Sequence, residues 1–74
     1  MSERVLISHV AGADVASLSR ALEKAGAATV EPIGALPDTL LAMVDGSHVD
    51  AFVARALALA DVRHAERDRM RYTS

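Results

Sequence analysis

Histidine and serine are the residues of this chain with the most chemical potential. Ser8 directly precedes His9, Ser47 directly precedes His48, and His64 stands apart from both pairs. Neighbouring side chains on a strand or helix point in different directions, and no third orienting group lies within sequence reach, so a hydrolytic triad is not predicted. No two histidines have metal-ligand spacing, and there is no cysteine to complete a site. We therefore predict no catalytic residue, no metal ligand and no cofactor, and we expect that the protein is not an enzyme.

The charged residues do not predict a nucleic-acid or membrane partner. Glu31 and Asp38 have no recognisable carboxylate pairing in the sequence. Arginines near the end of the chain fall on alternate positions of an extended segment and could contact phosphate: Arg63, Arg67, Arg69 and Arg71. Glu66 and Asp68 dilute that charge, and one Phe and one Tyr are too few for base stacking. The net charge of -2 provides no attraction to nucleic acid or to an anionic membrane.

The length of the chain predicts a single domain spanning residues 1–74, with an extended tail at residues 69–74. Seventy-four residues bury only a modest core, so we expect marginal stability. The absence of cysteine excludes a disulfide scaffold. The N-terminal residues lack the apolar core of a signal peptide, and no apolar run approaches transmembrane length. We therefore expect a cytoplasmic protein.

Apolar periodicity predicts four strands, and the strand at 28–33 contains Pro32, which cannot donate to a ladder and belongs at a sheet edge. The predicted strands are residues 5–10, 28–33, 39–44 and 62–66. Alternation in the third strand places Leu40, Ala42 and Val44 on one face and Thr39, Leu41 and Met43 on the other.

Two helices are predicted between these strands. The first covers residues 14–25, with Asp14 as its N-cap and Gly26 as its C-cap glycine. The second follows Asp45, its predicted N-cap, for which Ser47 is the alternative. Apolar residues at helical spacing predict its buried face: Val49, Phe52, Val53, Ala56, Leu57 and Ala60.

The element order βαββαβ predicts an α+β, ferredoxin-like fold. Its four-stranded antiparallel sheet has strand order 4-1-3-2, and both helices lie on one face. This order places the Pro32 strand at an edge. The other face of the sheet is uncovered, and Leu41 and Met43, together with Leu6, are expected to project from it. Exposed apolar side chains on a small sheet are compatible with a binding surface and equally with ordinary scattered surface residues.

Residues 62–68, Val-Arg-His-Ala-Glu-Arg-Asp, resemble the Val-x-Tyr-Val-Glu-x-Asp ending of subtilisin propeptides and of the free-standing inhibitors similar to them. The similarity continues upstream without a gap. Residues 39–44 stand where that family has a Gly-Phe-Ala-Ala-Lys-Leu strand, and Asp45 stands at its Ser/Thr helix cap. Val49, Phe52 and Leu57 then fall on its apolar helix positions.

The resemblance implies a protein inhibitor, or folding chaperone, of a subtilisin-like serine protease. It implies that the open sheet face, with Leu41 and Met43, packs on two parallel surface helices of the protease. Glu66 and Asp68 correspond to the carboxylates that cap those helices, where free amides and the dipole favour negative charge. The C-terminal tail then enters the active-site cleft as a product-like strand, which here comprises Arg71, Tyr72, Thr73 and Ser74.

Two other functions are compatible with the same sequence. The chain could be a non-inhibitory ferredoxin-like module that uses this face to dock on another protein or to form a homo-oligomer. It could also be a small-molecule-sensing regulator, which would need a polar pocket that the sequence does not locate.

Overall fold

Residues 2–68 form one four-stranded antiparallel sheet and two helices. The computed structural model describes residues 2–68, and within them the chain runs β1 (Ser2–His9), α1 (Val15–Ala25), β2 (Ala27–Pro32), β3 (Thr39–Asp45), a 3-10 turn (Gly46–His48), α2 (Val49–Leu57) and β4 (Val62–Arg67). The strand order is β2-β3-β1-β4 with antiparallel neighbours throughout. This order is 4-1-3-2 viewed from the other edge, so the predicted ferredoxin-like α+β fold is confirmed.

Strand positions in the sheet follow from local chemistry. β2 is an edge strand, as its terminal Pro32 predicted, and among the described strands its one neighbour is β3. β1 is central and pairs with both β3 and β4. Its apolar residues occupy both faces, with Val5 and Ile7 fully buried and Leu6 partly exposed between them. A strand with apolar groups on both faces suits the middle of the sheet.

The core lies between one face of the sheet and the two helices. The predicted alternation in β3 is confirmed, because Leu40, Ala42 and Val44 are buried while Thr39, Leu41 and Met43 are partly exposed. The helices cover the buried face with Leu18 and Leu22 from α1 and with Val49, Phe52 and Ala56 from α2. Phe52, the largest of these side chains, is 1% exposed. The opposite face of the sheet therefore carries the partly exposed set.

Both predicted caps of α1 are present. The Asp14 carboxylate accepts from the backbone N–H of Ser17 at 3.3 Å and from the Ser17 hydroxyl at 3.0 Å. Gly26 follows the helix with φ at +131°, a conformation that L side chains rarely adopt. Its amide donates to the carbonyl groups of Glu23 and Leu22, so the last turn is closed before β2 begins.

The predicted start of α2 is wrong. The chain first forms the 3-10 turn after Asp45, and α2 begins only after His48. Neither Asp45 nor Ser47 provides a side-chain hydrogen bond to a free amide of the helix; instead the Ser47 hydroxyl donates to the Asp45 carboxylate. The two short polar side chains bond to each other and are thus diverted from capping.

The predicted buried face of α2 is correct only as far as Ala56. Leu57 is 48% exposed, and Ala60 lies exposed in the turn after the helix. The helix tightens at its end, since the Ala58 amide donates to the Arg55 carbonyl and the Leu59 amide to the Ala56 carbonyl, each three residues back. This tightening changes the phase of the apolar face, and Leu59 packs against the core instead.

β4 contains an irregularity that strict alternation does not predict. Ser8 pairs with His64 while His9 pairs with Val62, so the register shifts by one residue at Arg63. Val62 and Ala65 are consequently both buried. Among residues 2–68, no helix has the length and apolarity needed to cross a bilayer.

Candidate protein-binding face

The sheet face opposite the helices is the candidate site, and we call it the open face. Cross-strand register assigns to this face the residues that alternate with the core positions. These are Ser2, Arg4, Leu6 and Ser8 of β1, Thr29 and Glu31 of β2, Thr39, Leu41, Met43 and Asp45 of β3, and His64, Glu66 and Asp68 from β4 and its end. None of them belongs to the buried core cluster of the described residues.

The centre of the open face is apolar. Leu6 and Leu41 are direct cross-strand partners on the two middle strands, and Met43 lies two residues further along β3. All three side chains are partly exposed. Three adjacent apolar side chains form a small patch, which is consistent with a docking surface of limited area.

Glu66 is the more accessible of the two carboxylates that the resemblance singles out. It is the cross-strand partner of Leu6, so it borders the apolar centre directly. Its side chain is 59% exposed, and its Oε1 lies 3.1 Å from Nε2 of His64, whose side chain is 60% exposed. Both groups are well hydrated, so the pair contributes little to stability and leaves Glu66 able to exchange partners.

Asp68 lies on the same face but is less accessible. Its side chain is 13% exposed, and its Oδ2 lies 3.7 Å from Nε of Arg4. The Asp68 amide donates to the Arg4 carbonyl at 2.9 Å, which extends the pairing of β4 with β1 beyond the strand end. The two predicted carboxylates are thus brought to one face. Asp68, however, must leave or share Arg4 before it can reach a second partner.

Glu31, which the sequence leaves without a partner, joins the same row of the sheet as Glu66. Register pairs Glu31 with Leu41, Leu41 with Leu6, and Leu6 with Glu66. The row crosses all four strands and has a carboxylate at each end. Linear spacing cannot reveal this arrangement, because it depends on how three separate strand pairs are aligned.

Ser8 and His64, which are far apart in the chain, are cross-strand neighbours on the open face. His64 in turn contacts Glu66, so a serine, a histidine and a carboxylate lie side by side. No hydrogen bond joins Ser8 to His64 among residues 2–68, and an activated nucleophile requires its base within hydrogen-bond reach. The geometry therefore does not assemble a nucleophile at Ser8.

His9, at the end of β1, is buried. It is 6% exposed, and its Nδ1 lies 2.9 Å from the Val10 carbonyl oxygen. It borders a polar depression at one end of the sheet that Ser8, Pro37, Asp38, Thr39, Arg63 and His64 also line. Within residues 2–68, no group of three or more histidine or carboxylate side chains could hold a metal ion.

The arginines of β4 do not form one cationic stripe over the described part of the chain. Arg67 Nε lies 3.7 Å from Glu3, and its Nη2 lies 3.3 Å from Asp50 of α2. Arg63 is exposed and borders the polar depression at the register shift. Arg67 is thus committed to intramolecular carboxylates. Arg69 and the tail positions Arg71, Tyr72, Thr73 and Ser74 lie outside the described residues.

No family model, curated protein or solved structure matches this chain. These comparisons neither support nor contradict the resemblance to subtilisin propeptides.

Proposed function

We propose that this protein binds and inhibits a subtilisin-like serine protease. The open face docks on helices of the protease, and the segment after β4, residues 69–74, enters the active-site cleft. The observation that carries the proposal is the placement of Leu6, Leu41, Met43 and Glu66 together on one sheet face that no described helix covers. The protein has no chemical step of its own in this function. It blocks access of substrate.

Docking through this face has a clear physical basis. The partly exposed leucines and the methionine gain by leaving water, at about 25 cal/mol for each Å² of apolar area buried. Glu66, beside them, can turn from His64 to the free amides at a helix N-terminus, where negative charge is favoured. Asp68 sits two residues further on the same face and can do the same once Arg4 shifts.

A matched pair of leucine substitutions tests the docking surface. Leu41→Asp places a charge at the apolar centre of the open face, whereas Leu57→Asp places it at an exposed position of α2. We expect Leu41→Asp to raise the inhibition constant against a bacterial subtilisin by more than about tenfold, since it loses apolar burial and desolvates a charge. Leu57→Asp is expected to inhibit like the parent chain. Circular dichroism of both variants verifies that each is folded.

Deleting residues 72–74 tests the role of the tail separately. We expect the shortened chain to lose most inhibition while it still binds a subtilisin whose catalytic serine has been replaced. Full potency after the deletion would contradict the tail mechanism. Binding of the intact chain without inhibition would instead identify the non-inhibitory docking module, and equal potency of Leu41→Asp and the parent would remove the open face from the mechanism.

A further inference from the structure

A further carboxylate, that of Glu31, lies on the open face at the edge of the sheet farthest from Glu66. We propose that Glu31 forms a rim contact with a basic side chain of the partner that docks on this face. The proposal rests on the proposed function and names an additional residue for it. The apolar pair Leu6 and Leu41 would then be bracketed by an acidic group on each side.

The strand register determines how far apart Glu31 and Glu66 lie. Glu31 and Glu66 occupy the outer strands of one cross-sheet row, so three interstrand spacings of about 4.8 Å place their backbones about 14 Å apart. Two packed helices lie only about 8–10 Å apart. When Glu66 caps one helix of such a pair, as in the proposed function, Glu31 therefore lies beyond the second helix. It faces the rim of the interface, where side chains rather than helix ends are available.

Glu31 is also chemically ready for an external cation. It is exposed, and none of the described arginine, lysine or histidine side chains forms an ion pair with it. The other open-face residues of β2 and β3 are Thr29, Thr39, Leu41, Met43 and Asp45; none of them is basic, so neither strand compensates the charge of Glu31. A basic partner side chain would supply that compensation.

Charge argues against a second copy of this chain as the occupant. Consider two copies stacked with aligned strands on a two-fold axis centred on the Leu6–Leu41 pair. If the axis is parallel to the strands, Glu31 of one copy lies opposite Glu66 of the other copy. If the axis is perpendicular to the strands, Glu31 of one copy lies opposite Glu31 of the other. Like charges meet in both arrangements, which disfavours pairing. The two ends of this row are thus complementary to basic groups and not to a second copy of the row.

Association kinetics with an inactivated bacterial subtilisin test the inference. Rim charges act mainly on the association rate and its salt dependence. We expect Glu31→Gln to slow association roughly two- to fivefold at low salt, as is typical of one exposed charge contact, and the difference to shrink as NaCl is raised. Glu23→Gln is the control: Glu23 is an exposed residue of α1, so this substitution changes the net charge by the same amount but lies away from the open face.

The outcomes separate the two proposals. Equal association rates for Glu31→Gln and Glu23→Gln, with Leu41→Asp still defective, would overturn the role of Glu31 and leave the docking function standing. Failure of the parent chain to bind any of a panel of subtilisins would overturn both. A lower rate for Glu31→Gln alone, abolished by high salt, is the expected result.

Discussion

At the scale of single residues, the local hydrogen bonds of short polar side chains decide where helices begin. Asp14 accepts from the amide of Ser17 and caps α1, whereas Asp45 accepts from the hydroxyl of Ser47 and caps nothing by its side chain. Both residues suit an N-cap equally well by type. The difference lies in the partners of the two carboxylates: Asp14 accepts from the backbone amide of Ser17 as well as from its hydroxyl, whereas Asp45 accepts from the Ser47 hydroxyl and lies 3.2 Å from Nδ1 of His48.

The contribution of the Asp14 N-cap to stability depends on pH. The bond from the Ser17 amide, helped by the Ser17 hydroxyl, holds the pKa of the Asp14 carboxyl below its usual range. The stabilisation is therefore complete at neutral pH and declines as pH falls below about 4, through the lowered pKa of the folded state.

We expect Asp14→Ala to lower the melting temperature by a few degrees at pH 7, and the difference from the parent chain to narrow as the pH is reduced to about 3. Asp14→Asn keeps a side-chain oxygen without a titrating group, so its stability should not show this additional acid dependence. Thermal melts at several pH values provide the measurement. A difference between parent and Asp14→Ala that is independent of pH would contradict the role of the carboxylate.

At the scale of helices and strands, the apolar pattern identifies the buried side of each element but not where that element ends. α2 has its buried face as predicted over Val49, Phe52 and Ala56, and then tightens so that Leu57 turns to solvent. In β4 the register shift at Arg63 likewise changes the phase of the alternation, so that Val62 and Ala65, three positions apart, are both buried. Such changes of phase depend on packing with neighbouring elements.

Leucine-to-alanine substitutions, one on each helix, should show how differently a buried and an exposed leucine contribute to the free energy of unfolding. Leu22 of α1 is 0% exposed and Leu57 of α2 is 48% exposed. We expect Leu22→Ala to lower the free energy of unfolding by about 2–5 kcal/mol, because it leaves a cavity in the core. Leu57→Ala is expected to change it by no more than about 0.5 kcal/mol. Urea denaturation measures both free energies of unfolding, and similar losses of stability in the two variants would contradict the exposed position of Leu57.

At the scale of the whole molecule, the two-layer fold leaves one sheet face that neither helix covers. Its centre is apolar, but Glu31 and Glu66 mark the two ends of the central row. Under the proposed function, the apolar patch favours burial and the carboxylates select which partner buries it, so affinity and specificity would come from different residues of one row.

This pattern predicts a monomer in solution and a specific way to change it. We expect the parent chain to sediment as a monomer up to high micromolar concentration. Glu31→Lys would place a lysine opposite the Glu66 carboxylate of a second copy, twice per two-fold pair, so it should self-associate more than the parent. Analytical ultracentrifugation at low and high salt measures this. A parent dimer that is disrupted by Leu41→Asp would contradict the argument from charge.

The sequence by itself determined the element order, the core side of β3, the α1 caps and the ferredoxin-like topology. Hydrophobic periodicity, Pro32 and Gly26 act through nearest neighbours along the chain, so linear reading captures them. Only the tertiary structure decided that Glu31 shares a row with Glu66, that Asp68 is held by Arg4, and that His9 is buried. Each of these depends on the alignment of strands that are distant in the chain. A shift of one residue in register would assign different side chains to every row.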